Sequence, residues 1–261
     1  MRTVVITGST RGIGYALARS FLIKDCNVII SGRKQSQVDI AVERLQKESS
    51  PEKIAGFACD VTLFSQMQLL WEKAVEKFDS IDIWINNAGI SNTQNPAWDL
   101  PADEIECVVK TNMLGEMFGT KTAVTGFIKQ GYGALYNMEG MGAQGNHRVK
   151  GLSIYGATKA GLRFFNDSIS AEIENDRIQV GAIQPGMMLT EMVTDQYLNR
   201  REEWEKVKRV FAIISEKPEI VADWLTEKIL NNDKKFVRFV YGGMPRILSR
   251  LIKNIFKRKR S

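Results

Sequence analysis

The chain has 261 residues, of which 44% are hydrophobic and 25% charged, enough for one large α/β domain with a substantial core or two small ones. No apolar run approaches the roughly 18 residues a membrane-spanning helix needs. Of the net charge of +6, seven basic residues and no acidic one fall in 244–261, which leaves the rest of the chain at −1; this argues against a nucleic-acid-binding body and for a specialised C-terminus.

In chain order, residues 3–7 are a β-branched run that predicts a buried strand, and Gly8 to Gly14 turns the chain into a helix carrying Leu17, Phe21 and Leu22. Strands are predicted over 27–31, 54–59, 81–85, 134–138, 178–184 and 236–241. Helices are predicted over 35–48, 63–78, 101–130, 153–175 and 218–231. Strands alternating with helices imply α/β architecture: a single doubly wound parallel sheet flanked by helices on both faces, over residues 1–243. Ligands of such sheets bind beyond the carboxyl ends of the strands, so the informative loops follow residues 7, 31, 59, 85, 138 and 184.

The opening Thr7-Gly8-Ser9-Thr10-Arg11-Gly12-Ile13-Gly14 has the makings of a phosphate cradle. A pyrophosphate sits at a helix N-terminus only where backbone N–H groups come close, which glycines between a strand and a helix allow. The second strand ends in Ser31-Gly32-Arg33-Lys34, with no acid to hold a ribose 2′-hydroxyl. Arg33 and Lys34, with Arg11 nearby, suit a 2′-phosphate, which favours NADP(H) over NAD(H). Tyr155 and Lys159, four residues apart on one helix face, form a proton-transfer pair. A nearby ammonium is expected to bring the phenol's pKa down toward the working range.

These segments, with Asn86-Asn87-Ala88-Gly89 and Pro185-Gly186, resemble the signature set of the short-chain dehydrogenase/reductase family over about residues 3–241. The resemblance implies a Rossmann-type fold and an oxidoreductase. It implies that Gly8, Ser9, Thr10, Arg11, Gly12, Ile13, Gly14, Arg33, Lys34, Asp60, Val61, Asn87, Ala88, Gly89, Pro185, Gly186, Met188 and Thr190, with Tyr155 and Lys159, hold the cofactor. Tyr155 would be the general acid for carbonyl reduction, tuned by Lys159, with Asn112 in the proton relay. The family's usual serine, three residues after the fifth-strand asparagine, is replaced by Gly140. Losing such a donor can cost about 100- to 1000-fold in rate.

Asn137-Met138-Glu139-Gly140-Met141-Gly142 and Pro185-Gly186-Met187-Met188-Leu189-Thr190 resemble the chlorophyll b reductase branch, which reduces a formyl group on a large macrocycle with NADPH. This implies a bulky apolar carbonyl substrate. A 3-oxoacyl, hydroxysteroid or general carbonyl reductase, or a non-catalytic NADP-binding sensor, are the alternatives. Glu139 is a candidate catalytic group, held protonated to donate to the substrate oxygen or orienting a water; the other reading is a structural carboxylate. If backbone room is not the reason for Gly140, then Gly140→Ser should be tolerated or improve activity.

The apolar, methionine-containing stretch 187–215 reads as a substrate lid or as packing on the body, and Trp98 as part of the opposite cleft wall. His147 is the only histidine and lies in a polar loop; no Cys/His cluster has metal-ligand spacing. Cys26, Cys59 and Cys107 read as reduced, mostly buried thiols, and no secretory leader precedes the glycine motif, which points to the cytoplasm. Residues 244–261 make an apolar helical stripe with a basic opposite face, suited to an anionic membrane surface, to the body or to a sister subunit. The family resemblance implies a homodimer or homotetramer built on the helices near 101–130 and 153–175.

Overall fold

The computed structural model describes residues 1–145, 148–197 and 200–242. His147, Leu198 and the basic tail 244–261 lie outside the described residues. Seven strands, β1 (Thr3–Ile6), β2 (Asn27–Gly32), β3 (Ile54–Ala58), β4 (Ile83–Asn86), β5 (Gly133–Met138), β6 (Ile178–Gln184) and β7 (Phe236–Val240), form one sheet in the order β3-β2-β1-β4-β5-β6-β7. Every neighbouring pair is parallel. The chain reverses direction across the sheet between β1 and β4, and that switch point opens a crevice at the carboxyl edge.

Alternation along the strands splits the core into two layers. Val4 and Ile6 of β1 and Ile83 and Ile85 of β4 face α1 (Gly12–Ile23), α2 (Gln35–Gln46) and α9 (Pro218–Leu230), where they meet Leu17, Phe21, Val38 and Leu225. Val5 and Trp84 face the opposite layer, α3 (Phe64–Phe78) and α5 (Gly115–Gln130), and meet Met67, Leu70 and Phe127. Each such large side chain removed from water contributes roughly 1.5–3 kcal/mol.

The helix predicted over 101–130 runs from 102 to 130 without a break but changes its winding. α4 (Ala102–Val109) passes through one wide π turn, Lys110–Leu114, into α5. Such turns are rare and often lie at functional sites, and this one carries the buried Asn112. α6 (Ser153–Glu172) ends three residues before the predicted 175. The stretch after β6 folds into α7 (Glu191–Thr194), a 3₁₀ turn (Asp195–Tyr197) and α8 (Arg201–Ile214). Among the described residues no helix is long and apolar enough to cross a membrane.

Candidate active site

The loop from β1 to α1 is built to bring backbone close to a ligand. Gly8 and Gly12 adopt φ of 61° and 59°, which side chains rarely tolerate. A Cβ on Gly8 would lie 2.7 Å from Ala88 Cα, and one on Gly14 would lie 2.6 Å from the Gly8 oxygen. Beneath the loop, buried Ser9 donates its hydroxyl to the Ile6 carbonyl (2.6 Å) and accepts from the Ser31 N–H (3.0 Å). Thr7 Oγ1 accepts from the N–H groups of Asn87 (3.0 Å) and Ala88 (3.1 Å), and Asn87 Nδ2 donates to the carbonyls of Thr7 and Gly8, both at 2.9 Å. The β4 loop is thereby clamped to the glycine loop.

No side chain caps the N-terminus of α1, so its first turn keeps its dipole open to an anion. Arg33 and Lys34, at the end of β2, are exposed, and Arg11 reaches Asp195 of the overlying segment at 3.5 Å. A Cβ on Gly12 would lie 3.8 Å from Thr190 Cγ2, so Thr190 covers the glycine loop. Asp60, just past β3, makes a tight turn, its Oδ1 accepting from the Thr62 N–H (2.9 Å) and hydroxyl (2.7 Å). Val61 is buried against Gly115, where a Cβ would approach it to 2.6 Å. Gly186 turns the chain after Pro185 with φ of 76°, and Met188 beyond it is buried. The glycine cradle, the open helix end and the basic pair fit a phosphorylated dinucleotide.

Tyr155, Lys159, Asn112 and Gly140 converge next to that cradle. Asn112, fully buried on its π turn, accepts from the Ile90 N–H (2.8 Å) and donates to the Ile90 carbonyl (2.9 Å) and the Thr158 hydroxyl (3.1 Å). It thus ties the β4 loop to α6. A Cβ on Gly89 would lie 3.4 Å from Asn112 Oδ1 and 3.9 Å from Lys159 Nζ, so both amide and ammonium flank that loop. Lys159 is buried and donates to the Met138 carbonyl at 2.7 Å. Its pKa is drawn down by burial and supported by the negative charges of Glu116 and Glu139.

Two expectations change here. Burial pushes the half-buried Tyr155 phenol up to about 12, and the Lys159 ammonium does not offset this, because it is turned to the Met138 carbonyl. The phenol is therefore held in its protonated, donating form. Gly140 is a matter of room: a Cβ there would fall well inside 3.0 Å of the Tyr155 hydroxyl oxygen and at 3.3 Å from Lys159 Cγ. A serine would displace the phenol, so easy tolerance of Gly140→Ser no longer follows.

Glu139 also takes a different part. It is buried, and both carboxylate oxygens accept from Arg238 (Nε at 3.2 Å to each, Nη2 at 3.0 Å to Oε1), with Gln184 Nε2 at 2.6 Å from Oε2. Arg238 Nη2 also reaches Asp167 Oδ1 at 2.8 Å. A carboxylate whose oxygens are all accepting has no proton to offer a substrate, so the structural reading replaces the donor reading.

Several residues of the site carry no motif. Asn92, 1% exposed, accepts from the Tyr155 N–H (3.1 Å) and donates to the Gly151 carbonyl (2.8 Å), fixing the first turn of α6. Behind the site runs a buried amide chain: Asn86 Nδ2 donates to Asn137 Oδ1 (2.8 Å), and Asn137 Nδ2 to Asn166 Oδ1 (2.6 Å). In the segment after β6, Tyr197, Trp204 and Phe211 form an aromatic cluster with centroids 5.5–6.2 Å apart. Tyr197 reaches Gln94 of the β4 loop at 3.4 Å, which ties the segment after β6 to that loop. Trp98, by contrast, is 86% exposed on a 3₁₀ turn. Cys26 and Cys59 are buried and Cys107 exposed, all unpaired.

The family model for short chain dehydrogenases matches residues 2–201. The chain belongs to the short-chain dehydrogenase family. Among curated members, it is 34% identical to the probable chloroplastic chlorophyll(ide) b reductase of Arabidopsis thaliana over 99% of this chain and 54% of that one. It is 34% identical to a chloroplastic chlorophyll(ide) b reductase of Oryza sativa subsp. japonica over 95% of this chain and 74% of that one. The chain spans about half the length of the Arabidopsis relative. The short-chain dehydrogenase fold is equally plain in solved structures. An actinorhodin polyketide ketoreductase with NADPH superposes with a TM-score of 0.82 at 24% identity, covering 93% of this chain and 97% of that one. ElxO with NADP bound gives 0.79 at 25% identity, covering 95% and 99%.

Proposed function

We propose that this short-chain dehydrogenase is an NADPH-dependent reductase of an aldehyde or ketone on a bulky apolar molecule. The observation that carries the reading is the convergence of the Tyr155 phenol, Asn112 and Lys159 beside a glycine cradle, with Arg33 and Lys34 exposed at the end of β2. When bound, NADPH would supply the hydride. The glycine loop and the N-terminus of α1 would hold its pyrophosphate, Arg33 and Lys34 its 2′-phosphate, and Asn87 to Gly89, Pro185, Gly186, Met188 and Thr190 its nicotinamide end. Arg11, Thr10, Ile13, Asp60 and Val61 would complete the adenosine side, with Ser9 shaping the loop from beneath.

The chain's own chemistry is proton handling. A phenol kept neutral by burial donates to the oxygen of the carbonyl as negative charge develops there. Lys159, turned to the Met138 carbonyl, would hold the ribose and with Asn112 resupply the proton, and Asn112 holds the β4 loop and α6 in register. The missing serine hydroxyl leaves Tyr155 as the main donor to that oxygen. The aromatic lid cluster and buried Met188 favour a large apolar substrate. The likeness to chlorophyll(ide) b reductases points to a formyl-bearing macrocycle as the first compound to try; 3-oxoacyl, steroid and general carbonyl substrates follow.

The apolar groove of about 630 Å³ between α5 and α6, lined in part by Val124, Ile128, Phe165 and Ile169, lies away from Tyr155 and supports a homodimer or homotetramer through these helices. Three unpaired cysteines fit a reducing compartment. The test is NADPH oxidation with a panel of apolar carbonyls that includes a formyl tetrapyrrole. Turnover with at least one member is expected; NADPH binding without turnover would favour the sensor.

A further inference from the structure

α6 starts without a cap of its own. Leu152 stands at its N-cap position and makes no side-chain cap, and no acid lies in the first turn. The backbone ladder begins with the Gly156 N–H, which donates to the Leu152 carbonyl at 2.9 Å. The N–H groups before it have no partner inside the helix, as at any helix start. One of them belongs to Tyr155.

The acceptor for that group comes from the β4 loop, 63 residues away in the chain. Asn92 takes the Tyr155 N–H on its Oδ1 at 3.1 Å. Its Nδ2 donates to the Gly151 carbonyl (2.8 Å), just ahead of the helix, and to the Thr93 carbonyl (2.7 Å). The two segments cross too closely for a side chain between them. Gly151 has φ of 84°, and a Cβ there would lie 2.9 Å from the Gln94 backbone carbon and 3.0 Å from the Asn95 nitrogen. Gln94 Nε2 adds a bond to the Lys150 carbonyl at 3.3 Å.

The same loop also holds the carbonyl of Tyr155. That carbonyl accepts from the Thr158 hydroxyl at 2.7 Å. The hydroxyl accepts in turn from Asn112, which is bonded both ways to Ile90. Two buried asparagines thus grip the Tyr155 backbone, one at each side, and both do so through the loop that Asn87 clamps to the glycine cradle.

We propose that Asn92 is a positioning residue for the proton transfer: it caps α6 in place of Leu152 and so fixes the Tyr155 phenol, through the β4 loop, relative to the cofactor cradle. The proposal rests on the reading that Tyr155 donates the proton. Gly140 brings no hydroxyl to share that task, so a shift of the first turn of α6 acts directly on the main donor.

Amide exchange in the free protein, followed by NMR, reads the cap without cofactor or turnover. In Asn92→Ala the Tyr155 N–H should exchange at least about tenfold faster, while amides in the middle of α6 keep their protection. NADPH oxidation with the best carbonyl of the panel should lose about 10- to 100-fold in kcat. NADPH affinity should stay unchanged, because the side-chain bonds of Asn92 all lie on the α6 side. Asn92→Asp keeps an oxygen suited to a helix start and should restore both the protection and most of kcat. If Asn92→Ala fails to fold, Gly151→Ala, which forces the crossing apart, is read instead and should show the same two losses.

An unchanged Tyr155 amide, an exposed amide with kcat within about threefold of wild type, or an Asn92→Asp protein that protects the amide but stays slow would overturn the proposal. Loss of protection in Asn92→Ala, with no turnover by the wild type, would sustain the cap and overturn the reductase reading instead.

Discussion

Replacing Gly140 with serine puts a Cβ well inside 3.0 Å of the Tyr155 hydroxyl oxygen, where ordinary contact begins at 3.4 Å. The same Cβ meets Tyr155 Cζ and Lys159 Cγ at 3.3 Å, so the ring cannot escape by sliding along the lysine stem. The phenol must swing by roughly 1 Å, and misplacement on that scale costs a catalytic group about 100-fold in rate. The obstacle is the tip of a ring, not backbone, so destabilisation should stay near the low end of overpacking, about 1 kcal/mol. For a chain of this size that lowers Tm by about 2–4 °C. Steady-state NADPH oxidation with the best carbonyl of the panel should fall about 100-fold in Gly140→Ser, with NADPH affinity by nicotinamide fluorescence unchanged. Gly140→Ala should show the same loss, which assigns it to the Cβ and not to the new hydroxyl. Wild-type or faster turnover in Gly140→Ser would refute the steric argument and reinstate the serine as a missing donor.

Glu139→Ala leaves Arg238 with Asp167 alone and strips Gln184 of its acceptor. It should cost about 2–4 kcal/mol in urea denaturation, while turnover measured where the protein is folded falls less than about tenfold; a stable variant that has lost all turnover would return Glu139 to the chemistry. Arg33→Glu combined with Lys34→Glu should weaken NADPH at least about tenfold in fluorescence titrations and leave NADH little changed. Equal loss for both cofactors would mean the pair does not read the 2′-phosphate.

The sheet was legible because β-branched runs such as 3–7 and 27–31 alternate with helical spacing, and Tyr155 and Lys159 declare themselves by standing one helical turn apart. The glycine loop was legible because its residue type is dictated by backbone approach at Gly8 and Gly14. What stayed hidden depends on contacts distant in sequence. The π turn at Asn112 lies in a stretch whose periodicity reads as one helix, and the partner its side chain holds, Ile90, is distant in sequence. Glu139 looked free to donate because its partner, Arg238, is 99 residues away. Gly140 read as a lost serine because the Tyr155 hydroxyl that fills the space beside it comes from the next helix and is brought there only by the fold.

The central claim is that the phenol of Tyr155 delivers the proton in a cofactor-dependent carbonyl reduction. Tyr155→Phe removes that oxygen and keeps the ring, so NADPH affinity should match the wild type while kcat falls by about 100- to 10,000-fold. Equal turnover in the two proteins, or failure of the folded wild type to bind NADPH at all, would contradict it.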